Sequence, residues 1–230
     1  MSSTPYSLPV IGQSDCRFAV NKIICIGRNY AEHAREMGHD PEREPPFFFF
    51  KPQSALAEPG TAFVYPWFSQ EVHHELELVI ALKQGGYQVS AESAKPLIGG
   101  FAVGLDMTCR DVQQRAKQQG RPWELAKGFD SSAPCSALRL GNYDDLQKMG
   151  PLSLTRNGIL VQHGNWRDMV WPVAELIAEV SRFIRLEAGD LIFTGTPAGV
   201  GPVVPGDKMV ANLEGLGDVL QVDVIAAKAF

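Results

Sequence analysis

The 230-residue chain has little cysteine, no long apolar run and no cluster of basic residues, and each absence removes a class of function. Its four cysteines, Cys16, Cys25, Cys109 and Cys135, stand far apart without a C-x-x-C pair. That spacing argues against a zinc ribbon or a dithiol redox motif and leaves free, mostly buried thiols. No apolar stretch approaches the ~18 residues that a membrane helix needs, so no membrane partner is expected. A formal charge of −5 without a Lys/Arg patch makes nucleic acid an unexpected partner too. The N-terminus, "MSSTPYSLPVIGQSDCRF", has neither a basic start nor a continuous apolar segment, so cytoplasm is the expected compartment. There is no repeat, low-complexity tract or linker, and the length suits one core. The expectation is a single catalytic domain over 21–230, preceded by an N-terminal segment 1–20.

What is present reads as β-rich with a few helices. The stretch "KIICIGRNYAEHAREMGHD" opens as a short strand and then changes period. Asn29 fits an N-cap, Glu32 follows three residues on as in a capping box, and Gly38 fits a stop, which predicts a helix over about 30–37. "PPFFFFKP" and "AFVYP" are strand-like aromatic runs bounded by prolines. "GGFAVGLDMTCRDVQQRAKQQG" reads as a strand ending near Asp106, then a helix capped by Thr108 and stopped by Gly120. The clearest helix is "WPVAELIAEVSRFIRLEAGD", with Val173, Leu176, Ile177, Val180 and Ile184 at helical spacing and Gly189 as its end. Beyond it lie strands broken by Gly-Asp turns. The pattern fits an α+β fold, a mixed β-roll or sandwich with short flanking helices, better than regular βαβ alternation.

The stretch "HHELELVIAL", 73–82, carries two acids in an otherwise apolar strand. Residues i and i+2 of a strand share a face, so Glu75 and Glu77 emerge together, with His73 on the same side. Two carboxylates ~7 Å apart along a strand repel unless protons or a cation intervene, and burial makes an unpaired charge costly. By themselves they are also the pattern of a polar stripe on an exposed edge. Asp106, at the end of a Gly-rich apolar strand, adds a third carboxylate. Three acids without soft ligands describe an oxygen site for Mg²⁺, Mn²⁺ or Ca²⁺ rather than Zn²⁺. Such a site stays near −1 with a divalent ion bound, so an anionic substrate needs local cations; Arg28, Lys51, Arg110 and Lys127 are the candidates.

His33 and Glu36 stand i, i+3 on the short helix, the spacing of a general base and the carboxylate that orients it, and equally of two surface residues. Lys51 follows four phenylalanines, either reaching water from a strand end or serving the site. "FTGTPAGVGP", 193–202, lacks the G-K-[ST] of a phosphate loop. It suits a tight turn that offers backbone N–H groups and the Thr196 hydroxyl to a carboxylate, or a plain turn that glycine permits.

The segments "GRNYAEHAREM", "FFFKP", "HHELELVIAL", "GLDMTCRDVQQRAKQQGRPWELAKGFD" and "GDLIFTGTPAGVGP", in this order over 22–224, resemble the fumarylacetoacetate hydrolase superfamily, nearest its single-domain branch acting on acylpyruvates and oxaloacetate. The resemblance implies Glu75, Glu77 and Asp106 as ligands for Mg²⁺ or Mn²⁺. It implies His33 with Glu36 as a catalytic dyad and Lys127 beside the metal. Arg110, Gln113 and Thr196 would face the bound 2-oxoacid. It further implies a mixed β-sandwich roll, generally a homodimer. The activity expected is metal-dependent hydrolysis of acylpyruvates to pyruvate and a carboxylic acid, with oxaloacetate tautomerisation or decarboxylation as the alternative. A non-catalytic metal-dependent binding module would explain the carboxylates but not the dyad.

Overall fold

The computed structural model of the chain describes residues 6–30 and 45–227. Two sheets carry it. The larger has six strands in the order Arg139–Leu140, Ile98–Leu105, Leu76–Leu82, Leu191–Phe193, Ile23–Gly27 and Phe47–Lys51. The smaller has five, in the order Ile159–Gly164, Leu152–Arg156, Lys208–Leu213, Val219–Ile225 and Phe63–Val64. Most neighbours run antiparallel; Leu191–Phe193 beside Ile23–Gly27, and Val219–Ile225 beside Phe63–Val64, run parallel. This is the β-rich α+β sandwich roll that the sequence suggests.

The central strand Leu76–Leu82 is buried on both faces. Leu76, Leu78, Ile80 and Leu82 join the larger core with Leu152, Leu154, Met209, Ala211 and Val222 of the smaller sheet. Val79 and Ala81 enter a second cluster with Cys25, Phe193, Ala133 and Cys135 on the other side. Period-2 alternation therefore sorts side chains between two cores rather than between core and water. The four cysteines are free, and Cys25, Cys109 and Cys135 are buried. The N-terminal hairpin, Ser7–Val10 with Gln13–Ala19, sends Leu8 into the second cluster, and its Pro9 carbonyl accepts the Leu138 N–H at 2.8 Å.

Three local expectations change. The apolar helix spans Val173–Phe183 and stops six residues short of Gly189, because Ile184 already has extended backbone (φ −132, ψ 150). Gly189 instead turns the chain into the strand Leu191–Phe193 at φ +91, where a Cβ would lie 2.7 Å from the Ala19 carbonyl oxygen. Thr108 is not a helix cap. It pairs with His73 in a three-stranded sheet, its hydroxyl donates to the Asp106 carbonyl at 3.1 Å, and the helix begins at Arg110. Asn29 accepts the Trp171 N–H at 2.8 Å and donates to the Thr194 carbonyl at 2.8 Å, while the helix it is expected to cap lies beyond residue 30. The helix expected over 30–37 falls largely outside the described residues. The run "AFVYP" contributes only the two-residue strand Phe63–Val64.

Candidate metal centre and its cleft

The three acids meet because of strand register. Leu76–Leu82 runs antiparallel to Ile98–Leu105, with Leu76 opposite Leu105 and Glu77 opposite Gly104. The Asp106 N–H donates to the Glu75 carbonyl at 2.8 Å and extends the ladder one step, so Asp106 stands across from Glu75. Alternation then puts Glu75, Glu77 and Asp106 on one face. Opposite Glu77 only glycine fits at position 104, because the side chains of Phe193 and Val79 fill the space: a Cβ there would lie 2.7 Å from the Phe193 ring and 2.8 Å from Val79 Cγ2. All three acids are buried, and each offers one oxygen within 4.8 Å of the others.

Cations crowd the same point. Lys127 Nζ donates to Glu75 Oε2 at 2.8 Å and Asp106 Oδ2 at 2.7 Å. Lys51, the last residue of the strand Phe47–Lys51, places its fully buried Nζ 2.9 Å from Asp106 Oδ1 and bonds the Ser132 hydroxyl and the Lys127 carbonyl. Arg110 reaches Glu75 Oε1 and donates to Gln113 Oε1 at 2.7 Å. Burial, then the charges of Asp106 and Glu75, push the Glu77 carboxyl well above the usual range, and the Gly195 N–H at 2.8 Å pulls the other way. Burial opposes the Lys127 charge, yet Asp106 and Glu75 hold its pKa above the ordinary lysine value. An oxygen-only set of three buried acids, one of them with its pKa raised by burial and by its two neighbours, fits a hard divalent cation.

The turn after Leu191–Phe193 closes one side. Gly195, at φ +100, sends its N–H to Glu77, and a Cβ would lie 2.8 Å from Asn29 Cβ. The turn expected to offer N–H groups to a carboxylate does so at Gly195, and the carboxylate is the protein's own Glu77. Thr196 is held by Gln162 of the strand Ile159–Gly164. Gln162 Oε1 accepts the Leu76 N–H at 3.0 Å and Nε2 donates to the Pro197 carbonyl at 3.0 Å, so backbone partners fix the amide's orientation. Two consequences follow. His74 Nδ1, 2.8 Å from Oε1, must carry a proton and donate. Thr196 Oγ1 must accept from Nε2 at 2.9 Å, which leaves its own proton for a long 3.4 Å contact to the Pro197 carbonyl or for an acceptor in the cleft.

Above the acids opens a cleft. Arg28, Arg110, Gln113, Lys127 and Thr196 line it with the three acids, as do the rings of Phe47, Phe49 and Trp123. Lys51 sits behind it, bound to Asp106. His33 and Glu36 lie outside the described residues. Sequence reasoning missed Lys117, Trp123 and Gln162. Lys117 was findable: Arg110, Gln113 and Lys117 stand i, i+3, i+7 on the helix Arg110–Gln118, one face of which borders the cleft. No signal marks Gln162, whose partners come from two distant segments.

Residues 22–223 match the family described as fumarylacetoacetate (FAA) hydrolase C-terminal. The chain belongs to this family. Among solved structures it is similar to the fumarylpyruvate hydrolase of Pseudomonas aeruginosa in complex with Mn²⁺ and pyruvate, at 43% identity and a TM-score of 0.91, covering 99% of this chain and 98% of that one. Among curated relatives, the mitochondrial oxaloacetate tautomerase FAHD1 of Homo sapiens is 43% identical over 84% of this chain and 87% of its own length. The mitochondrial oxaloacetate decarboxylase of Dictyostelium discoideum is 40% identical over 90% and 95%. Hydrolase, tautomerase and decarboxylase thus share this family's scaffold.

Proposed function

We propose that this protein is a divalent-metal-dependent enzyme that hydrolyses the C–C bond of acylpyruvates, R-CO-CH₂-CO-COO⁻, to a carboxylate and pyruvate. The observation that carries the reading is the buried trio of Glu75, Glu77 and Asp106, with ligand oxygens within 4.8 Å, at the floor of a cleft lined by cations. Mg²⁺ or Mn²⁺ held by these acids would supply Lewis acidity toward the carboxylate and oxo oxygens of a 2-oxoacid. The rest is work for the chain's own residues. Arg110 and Gln113 bind the substrate's carboxylate, and Thr196 donates to one of its oxygens, the polarity Gln162 imposes. Lys127, kept charged by Asp106 and Glu75, acts as a cation toward oxygen that becomes negative as the C–C bond breaks, not as a base. His33, oriented by Glu36, takes a proton from the water that attacks the distal carbonyl and returns a proton to the methylene carbon of departing pyruvate.

The tautomerase and decarboxylase relatives favour a second reading, in which the same residues interconvert keto and enol oxaloacetate or release its CO₂. One experiment separates them: pyruvate release from acetylpyruvate, fumarylpyruvate and oxaloacetate, measured alongside the decay of enol-oxaloacetate absorbance. Acylpyruvate cleavage supports hydrolysis. Accelerated enol decay without acylpyruvate cleavage supports the second reading, and full activity after exhaustive chelation sinks both.

A further inference from the structure

His73 follows the same strand alternation as Glu75 and Glu77, yet among the described residues it neither joins the acid trio nor lines the cleft. Both of its ring nitrogens are engaged. Arg110 Nε can only donate, so His73 Nδ1, 3.4 Å away, accepts, and the ring proton sits on Nε2, which donates to Glu71 Oε1 at 2.8 Å. No lone pair is left for a metal. The imidazole instead bridges Glu71, an exposed acid, to the arginine that faces the cleft.

Arg110 is gripped on all three of its nitrogens: Nε by His73, Nη1 by Gln113 Oε1 at 2.7 Å and Nη2 by Glu75 Oε1. These acceptors take three of its five N–H groups and leave two for a ligand. Glu75 is also claimed by a bound cation, which competes with Arg110 for its oxygens. His73 has no such second duty. Its place relative to Arg110 is fixed by the backbone, because the Glu71 carbonyl accepts the Arg110 N–H at 2.7 Å and His73 itself pairs with Thr108. The next residue is clasped as well: Asp111 accepts the Ser69 hydroxyl at 2.6 Å and the Gln70 N–H at 3.3 Å.

We propose that His73, oriented by Glu71, is a positioning residue that holds the Arg110 guanidinium toward the carboxylate of a bound 2-oxoacid. The proposal rests on the reading of Arg110 as a carboxylate binder. A long side chain held in advance loses less rotamer freedom when the ligand arrives, which raises affinity without a new contact. The same grip sets Gln113: its Oε1 accepts from Nη1, so its amide N–H groups are what remains for an acceptor.

The test is titration calorimetry of the Mn²⁺-loaded protein with 2-oxobutyrate, an unreactive 2-oxoacid, beside Mn²⁺ titration of the metal-free protein. His73→Leu, which removes the acceptor, should weaken 2-oxobutyrate binding about tenfold with Mn²⁺ affinity unchanged. His73→Asn, whose Oδ1 takes the position of Nδ1, should stay within about threefold of wild type. In an Arg110→Gln background His73→Leu should add nothing. Equal weakening by Leu and Asn, a further loss in the Arg110→Gln background, or loss of Mn²⁺ together with the probe would make the ring merely structural and overturn the proposal. Weakening by Arg110→Gln but not by His73→Leu overturns it too and leaves the 2-oxoacid reading standing. If Arg110→Gln changes nothing, or the wild-type protein does not bind the probe, the reading of the cleft fails first and the role of His73 with it.

Discussion

Glu77 is almost wholly buried and its pKa is raised by burial and two neighbouring carboxylates, so the acid trio stores repulsion that a cation relieves. Stripping divalent ions should abolish turnover, and Mg²⁺ or Mn²⁺ should restore it; Glu75→Ala should lose metal and activity together, read by calorimetry and rate. Lys127 fills the same electrostatic need from the protein side. In metal-free protein Lys127→Met leaves Glu75 and Asp106 with one fewer buried counter-charge, at a cost of about 3–5 kcal/mol and a Tm drop on the order of 10 °C. Saturating Mn²⁺ should recover much of that loss, because binding to the folded state adds stability. Equal losses with and without Mn²⁺ would deny that the ammonium and a metal serve the same charges. At His33 the expectation is kinetic: His33→Ala should cut acylpyruvate hydrolysis on the order of 10²-fold with Mn²⁺ affinity intact, and slow oxaloacetate decarboxylation far less. Equal losses in both reactions would mean that His33 does not act by moving protons.

At the scale of elements, two strands and one turn make the site. The strand pair supplies the acids, and the turn after Leu191–Phe193 supplies the Gly195 N–H and the Thr196 hydroxyl. Gly195→Ala places a Cβ 2.8 Å from Asn29 Cβ at φ +100, so the turn must shift and the bond to Glu77 must lengthen. The expected result is lower stability, by about 1–3 kcal/mol in urea melts, with weaker metal binding. Gln162 joins this turn to Leu76, between the two glutamates. Gln162→Met should raise KM for the 2-oxoacid about tenfold with a smaller effect on kcat, since a donor to bound substrate loses its orientation. In a Thr196→Val background the same change should add little. A multiplicative loss there would show that Gln162 works mainly through the glutamate strand.

Across the whole molecule, the six-stranded sheet lies between two apolar clusters, and the N-terminal hairpin closes the second one. Leu8 is fully buried there and Val10 nearly so, beside the backbone bonds to Leu138. Removing residues 1–20 uncovers this face and should cost about 4 kcal/mol from those two side chains alone, a fall in Tm near 10 °C for a domain of this size. Calorimetry of the truncated chain checks this. An unchanged melting temperature would make the hairpin an appendage rather than part of the core.

The acid face was legible in sequence because strand alternation is local: Glu75 and Glu77 share a side whatever the rest of the chain does. The cation face of the helix Arg110–Gln118 obeys an equally local rule, and the family motifs carried the position of Asp106. Local signals misplaced a boundary where a distant partner intervened, as at Thr108, claimed by His73. Only the tertiary structure decided the rest. It set the register that brings Asp106 opposite Glu75, and packed Phe193 and Val79 against Gly104 opposite Glu77. It brought Gln162 to Thr196, 34 residues away, and joined Arg28 to Lys117 through Phe47 and Trp123. Periodicity encodes which face a side chain takes; which other face it meets depends on packing between segments far apart in the chain.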